Sequence, residues 1–228
     1  MKAFLLAAGL GKRLRPLTLQ QPKPLIEVGG CSLVEHHLLK LKLAGICEVV
    51  INTHWLAEEL RQRLGDGSSY GVDIHWSHEP ELLETGGGIY KARDMLGEAP
   101  FLLASADIYS ELDYRQLLQT SVPPEGAHLV LVPNPEHNPG GDFELQAGQV
   151  RRKGVGGACA TYSGIAMVSG AWVQQWQPAT DAFPLVDPFW QAADAGQLTG
   201  QLYEGCWTDV GTPQRLHSLR AKLAASCS

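Results

Sequence analysis

The feature that most constrains the fold is the run Leu5-Leu6-Ala7-Ala8-Gly9-Leu10-Gly11-Lys12-Arg13-Leu14-Arg15-Pro16-Leu17-Thr18, closed by Pro22-Lys23-Pro24-Leu25. A short apolar segment, Ala3 to Ala7, reads as a buried strand that runs straight into a basic loop. Gly9 and Gly11 let the backbone turn tightly and bring N–H groups against an anion. Lys12, Arg13 and Arg15 add an ammonium and forked donors suited to phosphate oxygens. The stretch therefore reads as a polyphosphate cradle at a strand end. Leu14 stands where a dinucleotide fingerprint needs its third glycine, and the Walker spacing is absent, so the two best-known phosphate loops are excluded.

Downstream, strand and helix patterns alternate. Ser32-Leu33-Val34-Glu35 is a capping-box pattern. It opens a helix with Leu33, Val34, Leu38 and Leu41 on one face and a stop at Gly45. An apolar strand over 48–52, an amphipathic helix over 55–64 and a strand over 72–76 follow, then a helix after the glycines at 86–88 and a buried strand over 101–104. This alternation predicts an α/β fold, a Rossmann-like mixed and mainly parallel sheet flanked by helices. Ligands in such sheets sit outside the carboxyl ends of the strands. The second half is less regular: a strand over 127–132, a hairpin over 140–150, a strand over 161–168, helices over 172–176 and 188–195, an extended segment over 202–207 and a helix over 213–225. We expect one domain over residues 1–228. Its regular half covers about 1–133, a less regular subregion about 134–207, and a closing turn and helix occupy 207–228.

At 228 residues with net charge −6, the chain has the composition of a water-soluble enzyme, and the charge argues against nucleic acid as partner. No apolar run reaches membrane-spanning length, and the first residues read as a strand rather than a signal peptide. Cys31, Cys47, Cys159, Cys206 and Cys227 are odd in number and contain no C-x-x-C pair, which predicts free thiols in a reducing cytoplasm and no zinc site. Nothing in the sequence identifies a protein partner.

The extended string through Pro22-Lys23-Pro24-Leu25 resembles the signature of the sugar-1-phosphate nucleotidyltransferases, and the resemblance covers nearly the whole chain. It implies transfer of a nucleotidyl group from a nucleoside triphosphate to a sugar 1-phosphate with release of pyrophosphate. Leu83-Glu84-Thr85-Gly86-Gly87-Gly88, Gly141-Asp142-Phe143 and Tyr162-Ser163-Gly164-Ile165 are closest to the branch that uses UTP and N-acetylmuramate 1-phosphate in cell-wall sugar recycling. Guanylyl transfer to mannose 1-phosphate and thymidylyl transfer to glucose 1-phosphate stay open, because base choice turns on a few contacts. The chain ends soon after Asp209, so no hexapeptide-repeat acyltransferase domain is expected.

The resemblance also implies residue roles. Ala8, Gly9, Gly11, Lys12 and Arg13 would bind the nucleotide, with Arg13 on the outer phosphates. Lys23 would meet the reacting phosphates; Pro24 is expected to hold it extended. Asp107, preceded by Ala106 where relatives commonly have glycine, and Asp209 in Trp207-Thr208-Asp209-Val210-Gly211-Thr212-Pro213 would hold Mg²⁺. Taken alone, each aspartate is an ordinary turn former or helix cap. Thr85 and Gly86 would pack against and read the base, with Asn52 a further lining candidate. Ser105, Gly141, Asp142, Ser163 and Gly164 would hold the sugar, although a hairpin tip and a strand glycine explain the glycines as well. A sugar phosphate is already a dianion at neutral pH, its second pKa being about 6, so no general base is required. A non-catalytic nucleotide-binding subunit on the same fold is the competing class; the presence of Lys23, Asp107 and Asp209 favours the enzyme.

Overall fold

The structure, a computed structural model, describes residues 1–154 and 156–226; Cys227 lies outside them. The first half contains β1 (Lys2–Leu6), β2 (Glu27–Val28), β3 (Cys31–Ser32), α1 (Leu33–Leu43), β4 (Glu48–Thr53), α2 (Ala57–Leu64), β5 (Asp73–His78), α3 (Glu84–Lys91), α4 (Arg93–Leu96), β6 (Phe101–Ser105), β7 (Ile108–Ser110), α5 (Tyr114–Leu117) and β8 (Ala127–Val132). The second half adds β9 (Phe143–Gln146), β10 (Gln149–Arg151), β11 (Ala158–Val168), α6 (Gly170–Gln174), α7 (Val186–Asp194), β12 (Leu198–Leu202), β13 (Trp207–Asp209) and α8 (Pro213–Ser226).

A nine-stranded sheet runs in the order β5-β4-β1-β6-β11-β8-β12-β10-β9. The strands from β5 to β6 are mutually parallel, as the strand–helix alternation requires. Beyond β6 the sheet turns antiparallel through β11, with one further parallel pair, β12 on β8. The far end of β11 pairs with β9, so the distal strands curl back on themselves. Both faces are covered. In β1, Ala3 and Leu5 join the cluster packed under α1 and α2, whereas Phe4 joins the opposite cluster with Leu103, Ile89 and Phe189. This two-residue alternation is what buries a short strand on both sides. The Glu35 carboxylate of the α1 capping box accepts the Ser32 N–H at 2.7 Å. No helix among the described residues is long and apolar enough to cross a membrane.

Three local expectations are corrected. The glycines at 86–88 lie inside α3 rather than ahead of it. A Cβ on Gly87 would stand 2.1 Å from the Asp181 carbonyl oxygen, and one on Gly86 2.5 Å from the Phe183 ring. The triplet therefore serves close approach of the 181–183 backbone to a helix, and poor helix propensity is the accompanying cost. The segment 202–207 is not one extended run: β12 ends at Leu202 in the main sheet, and β13 starts at Trp207 to pair antiparallel with β7. Lys23 is not extended. It opens a 3₁₀ turn over Lys23–Leu25, and Pro22 is the extended residue.

Candidate active site

Three adjoining cavities open at the carboxyl ends of β1, β4 and β6, and Asp107 lines all of them. The smallest, about 180 Å³, is walled by Gly9, Gly11, Lys12, Arg13, Lys23 and Gly211, among others. Gly11 has φ +60°, and a Cβ there would meet Thr18 Cγ2 at 2.8 Å. The Thr18 hydroxyl donates to the Gly11 carbonyl at 2.8 Å and so pins the loop. A 3₁₀ turn over Lys12–Leu14 then buries Leu14 and leaves its two cationic side chains at the surface. Gly211 leaves space above its backbone for two guanidinium groups, since a Cβ would lie 2.0 Å from Arg215 Nη2 and 3.0 Å from Arg13 Nη2.

The second cavity, about 350 Å³, takes Ala8, Gly9, Lys23, Asn52 and Thr85 into its walls. Its geometry is set by a buried polar chain. The Ala7 N–H donates to Asn52 Oδ1 (2.6 Å), Asn52 Nδ2 donates to Glu79 Oε1 (2.7 Å), and the Leu83 N–H donates to Glu79 Oε2 (3.2 Å). Glu79 is completely buried, so it links the start of the loop after β1 to the turn before α3 without touching solvent. The Thr85 hydroxyl accepts the Leu185 N–H at 2.8 Å. Gly86 does not line the cavity: its N–H donates to the Phe183 carbonyl at 2.9 Å.

Asp107 and Asp209, distant in sequence, are brought together by the β7–β13 pair. Asp209 faces Ile108 in the register, and the Val210 N–H donates to the Asp107 carbonyl at 3.0 Å. The Lys23 ammonium pairs with the Asp107 carboxylate. Arg215 Nη1 holds both oxygens of Asp209 at 2.7 and 2.6 Å and also contacts His137 Nε2 at 2.6 Å. Behind β7 lies a buried histidine. His37 Nδ1 is 2.6 Å from the Tyr114 hydroxyl and its Nε2 is 3.1 Å from the Ile108 carbonyl. Burial, with the charge of Lys40 nearby, pushes the His37 pKa down to about 3. The neutral ring donates one proton to Ile108 and accepts one from Tyr114, which anchors the strand immediately after Asp107.

The largest cavity, about 660 Å³, is lined by Ser105, Asp142, Ser163 and Gly164, by Arg13 and Asp209, and by Lys153 and Trp190. Pairing between β11 and β8 slips between Tyr162 and Ile165, which leaves Ser163 and Gly164 in a bulge facing the cavity. Gly164 has φ +83°, and a Cβ there would press on Ser105 Oγ at 2.9 Å. The Asp142 carboxylate accepts from Asn138 Nδ2 (3.0 Å) and from the Tyr162 N–H (2.9 Å), so it braces the wall. Gly141 lies outside the lining; its φ of +62° and a Cβ-to-Asn134 distance of 2.7 Å account for the glycine. His137, Lys153, Trp190 and Arg215 lie outside every motif of the sequence. Only Lys153 carries a local signal, the basic, glycine-rich run Arg151-Arg152-Lys153-Gly154.

A mixed sheet with these cavities along the carboxyl edge of its parallel strands defines an α/β protein of the nucleotide-diphospho-sugar transferase fold. The fold neighbours agree. A crystal structure of a Bacillus anthracis protein described as a glucose-1-phosphate thymidylyltransferase in complex with a sucrose superposes with a TM-score of 0.86 at 23% identity, covering 98% of this chain and 95% of that one. The nucleotidyl transferase family profile matches residues 2–142. N-acetylmuramate alpha-1-phosphate uridylyltransferase of Neisseria meningitidis serogroup B is 42% identical over 230 residues, covering 99% of both chains. The protein of the same name from Caulobacter vibrioides is 35% identical, covering 97% of this chain and 96% of that one. The chain belongs to the nucleotidyl transferase family, among its sugar-1-phosphate nucleotidyltransferases.

Proposed function

We propose that the protein transfers the uridylyl group of UTP to N-acetylmuramate 1-phosphate and releases pyrophosphate. The observation that carries this reading is the confluence at Asp107, where a polyphosphate-sized cavity, a nucleoside-sized cavity and a sugar-sized cavity meet at one carboxylate. Two full-length relatives that carry this activity in their names support the choice of substrates.

In this reading the sugar phosphate dianion attacks the α-phosphorus in line, and pyrophosphate leaves from the opposite side. Catalysis then consists of alignment and of cancelling charge between two anions. Arg13, with Lys12 and the Gly9–Gly11 amides, holds the β- and γ-phosphates. Lys23 supplies positive charge at the α-phosphate and sugar phosphate, in a position fixed by the 3₁₀ turn. Ala8 and Thr85 border the nucleoside, and Ser105, Asp142 and Ser163 shape the sugar side. The half at about 1–133 would thus serve the nucleotide, and the region at about 134–207 the sugar.

The residues present also suit Mg²⁺. Among the described residues no group of three or more His, Cys, Asp or Glu side chains is placed to hold an ion. Asp209, the last residue of β13, and Asp107, in the turn just before its partner β7, nonetheless come together there, and both carboxylates are partly exposed. Two hard oxygen donors, the rest of the shell left to phosphates and water, are the usual magnesium arrangement. Bound there, the ion would neutralise charge on the reacting phosphates.

The test is pyrophosphate release over a grid of nucleoside triphosphates and sugar 1-phosphates, with Mg²⁺ and with a chelator. Chelator-sensitive turnover confined to UTP and N-acetylmuramate 1-phosphate is expected. Turnover confined to GTP with mannose 1-phosphate, or to dTTP with glucose 1-phosphate, would keep the chemistry and replace the substrates.

A further inference from the structure

We propose that Lys153 is the specificity residue for the sugar: its ammonium binds the carboxylate that distinguishes a muramyl sugar from plain N-acetylglucosamine. This rests on the muramyl reading above and deepens it. N-acetylmuramate is N-acetylglucosamine with a lactic acid joined by an ether to O3, so at neutral pH it carries a second anionic group besides its phosphate. An enzyme that selects it needs a cation on the sugar side of the cavity, apart from those that hold the phosphates.

Lys153 meets that requirement. It lines the 660 Å³ cavity beside Asn138, Asp142, Phe143 and Trp190. The other cationic side chain there, Arg13, belongs to the triphosphate loop, and His137 is engaged with Arg215 and Asp209. The Lys153 ammonium donates to the Gly141 carbonyl at 2.8 Å. Among the described residues no carboxylate lies within ion-pair distance of it, in contrast to Lys23 and Arg215. A lysine ammonium has three protons, so two remain for a ligand.

The surroundings hold the lysine in place from both sides. On one side, Arg152 pairs with Asp194 at 2.7 Å and lies over the Trp190 ring, 5.1 Å from its centroid. On the other, Glu144 is 4% exposed, and its two carboxylate oxygens accept the N–H groups of Gly154 (2.6 Å) and Gly157 (2.7 Å). These hydrogen bonds compensate the burial of the carboxylate and fix the glycine-rich turn against it. Here it keeps the lysine at the cavity wall. Trp190, 36% exposed, offers an apolar surface beside the same position.

The experiment compares N-acetylmuramate 1-phosphate with N-acetylglucosamine 1-phosphate, each with UTP, in the wild type and in Lys153→Met and Lys153→Arg. A charge-assisted contact of this kind is worth roughly a 10- to 100-fold preference. We expect the wild type to favour the muramyl substrate and Lys153→Met to lower the ratio of the two kcat/KM values by about 10- to 100-fold. The loss should appear in KM for the muramyl sugar, and Lys153→Arg should restore most of it. An unchanged ratio in Lys153→Met, whether both activities fall together or neither moves, overturns the proposal. A wild type that uses N-acetylglucosamine 1-phosphate but never the muramyl sugar overturns the substrate reading along with it. A wild type that prefers the muramyl sugar while the variant keeps that preference overturns the lysine assignment alone.

Discussion

Lys23 and Asp107 form an ion pair across 84 residues of chain, joining the 3₁₀ turn after the first strand to the end of β6. The Lys23 side chain is 10% exposed and that of Asp107 38%, so the ammonium is the more enclosed partner and the carboxylate is the one open to a ligand. In the proposed reading Asp107 would help to hold a metal ion, and Lys23 would supply charge to the phosphates.

Asp107→Asn keeps the shape and removes the charge. Turnover should fall by at least about 100-fold, the usual effect of deleting a group that stabilises charge in the transition state. The circular dichroism spectrum should stay that of the wild type. Turnover within about threefold of wild type would show that the carboxylate has no part in the chemistry.

Asn52 connects the Ala7 N–H to Glu79, both buried. Asn52→Ala leaves a buried donor and a buried carboxylate oxygen without that partner, at a cost of about 2–4 kcal/mol. Because Ala7 and Asn52 both border the 350 Å³ cavity that we propose for the nucleoside, the KM for the nucleoside triphosphate should rise more than that for the sugar phosphate. Urea unfolding and paired KM measurements test the two effects separately.

Gly87→Ala should be among the more destabilising small substitutions in the chain. The added methyl would stand 2.1 Å from the Asp181 carbonyl oxygen, a backbone atom held by its own segment. A loss of about 2–3 kcal/mol is expected, as for other overpacked core sites. A urea midpoint equal to the wild type would mean that the 181–183 segment yields freely.

The pH dependence follows from two buried groups on α1. His37 has its pKa pushed from 6.5 down to about 3 by burial and the neighbouring Lys40. Between those values the unfolded chain binds a proton that the folded chain refuses, so stability falls as pH drops below about 6.5. For Glu35, burial raises the pKa, but hydrogen bonds from Tyr70, Ser32 and Arg63 outweigh it and bring it from 4.5 to about 2. That adds a second loss below about pH 4.5, of the same sign. Urea midpoints should therefore decline steadily from neutral pH downward. The double variant His37→Leu with Tyr114→Phe removes both hydrogen-bonding partners and should flatten the decline between about pH 6.5 and 4.5 while leaving the lower step.

What could be read from the chain alone was local. The continuous apolar runs in 3–7, 49–51 and 101–104 set strands that bury both faces. The Ser32–Glu35 cap and the Gly45 stop bound α1, and the glycines at 9 and 11 mark the tight turn that follows β1. These signals are legible because propensity, periodicity and capping act within a few residues of sequence. The rest depended on contacts between distant segments. The glycines at 86–88 looked like a turn, because nothing near them in sequence reveals the Asp181 and Phe183 backbone that they let approach. Asp107 and Asp209 become neighbours only through the β7–β13 pair, and Lys153 reaches the cavity only through a loop clamped by Glu144. A lone aspartate or lysine has no signature of its own. Its chemistry is set by which other groups share its desolvated space, and only the folded chain decides that.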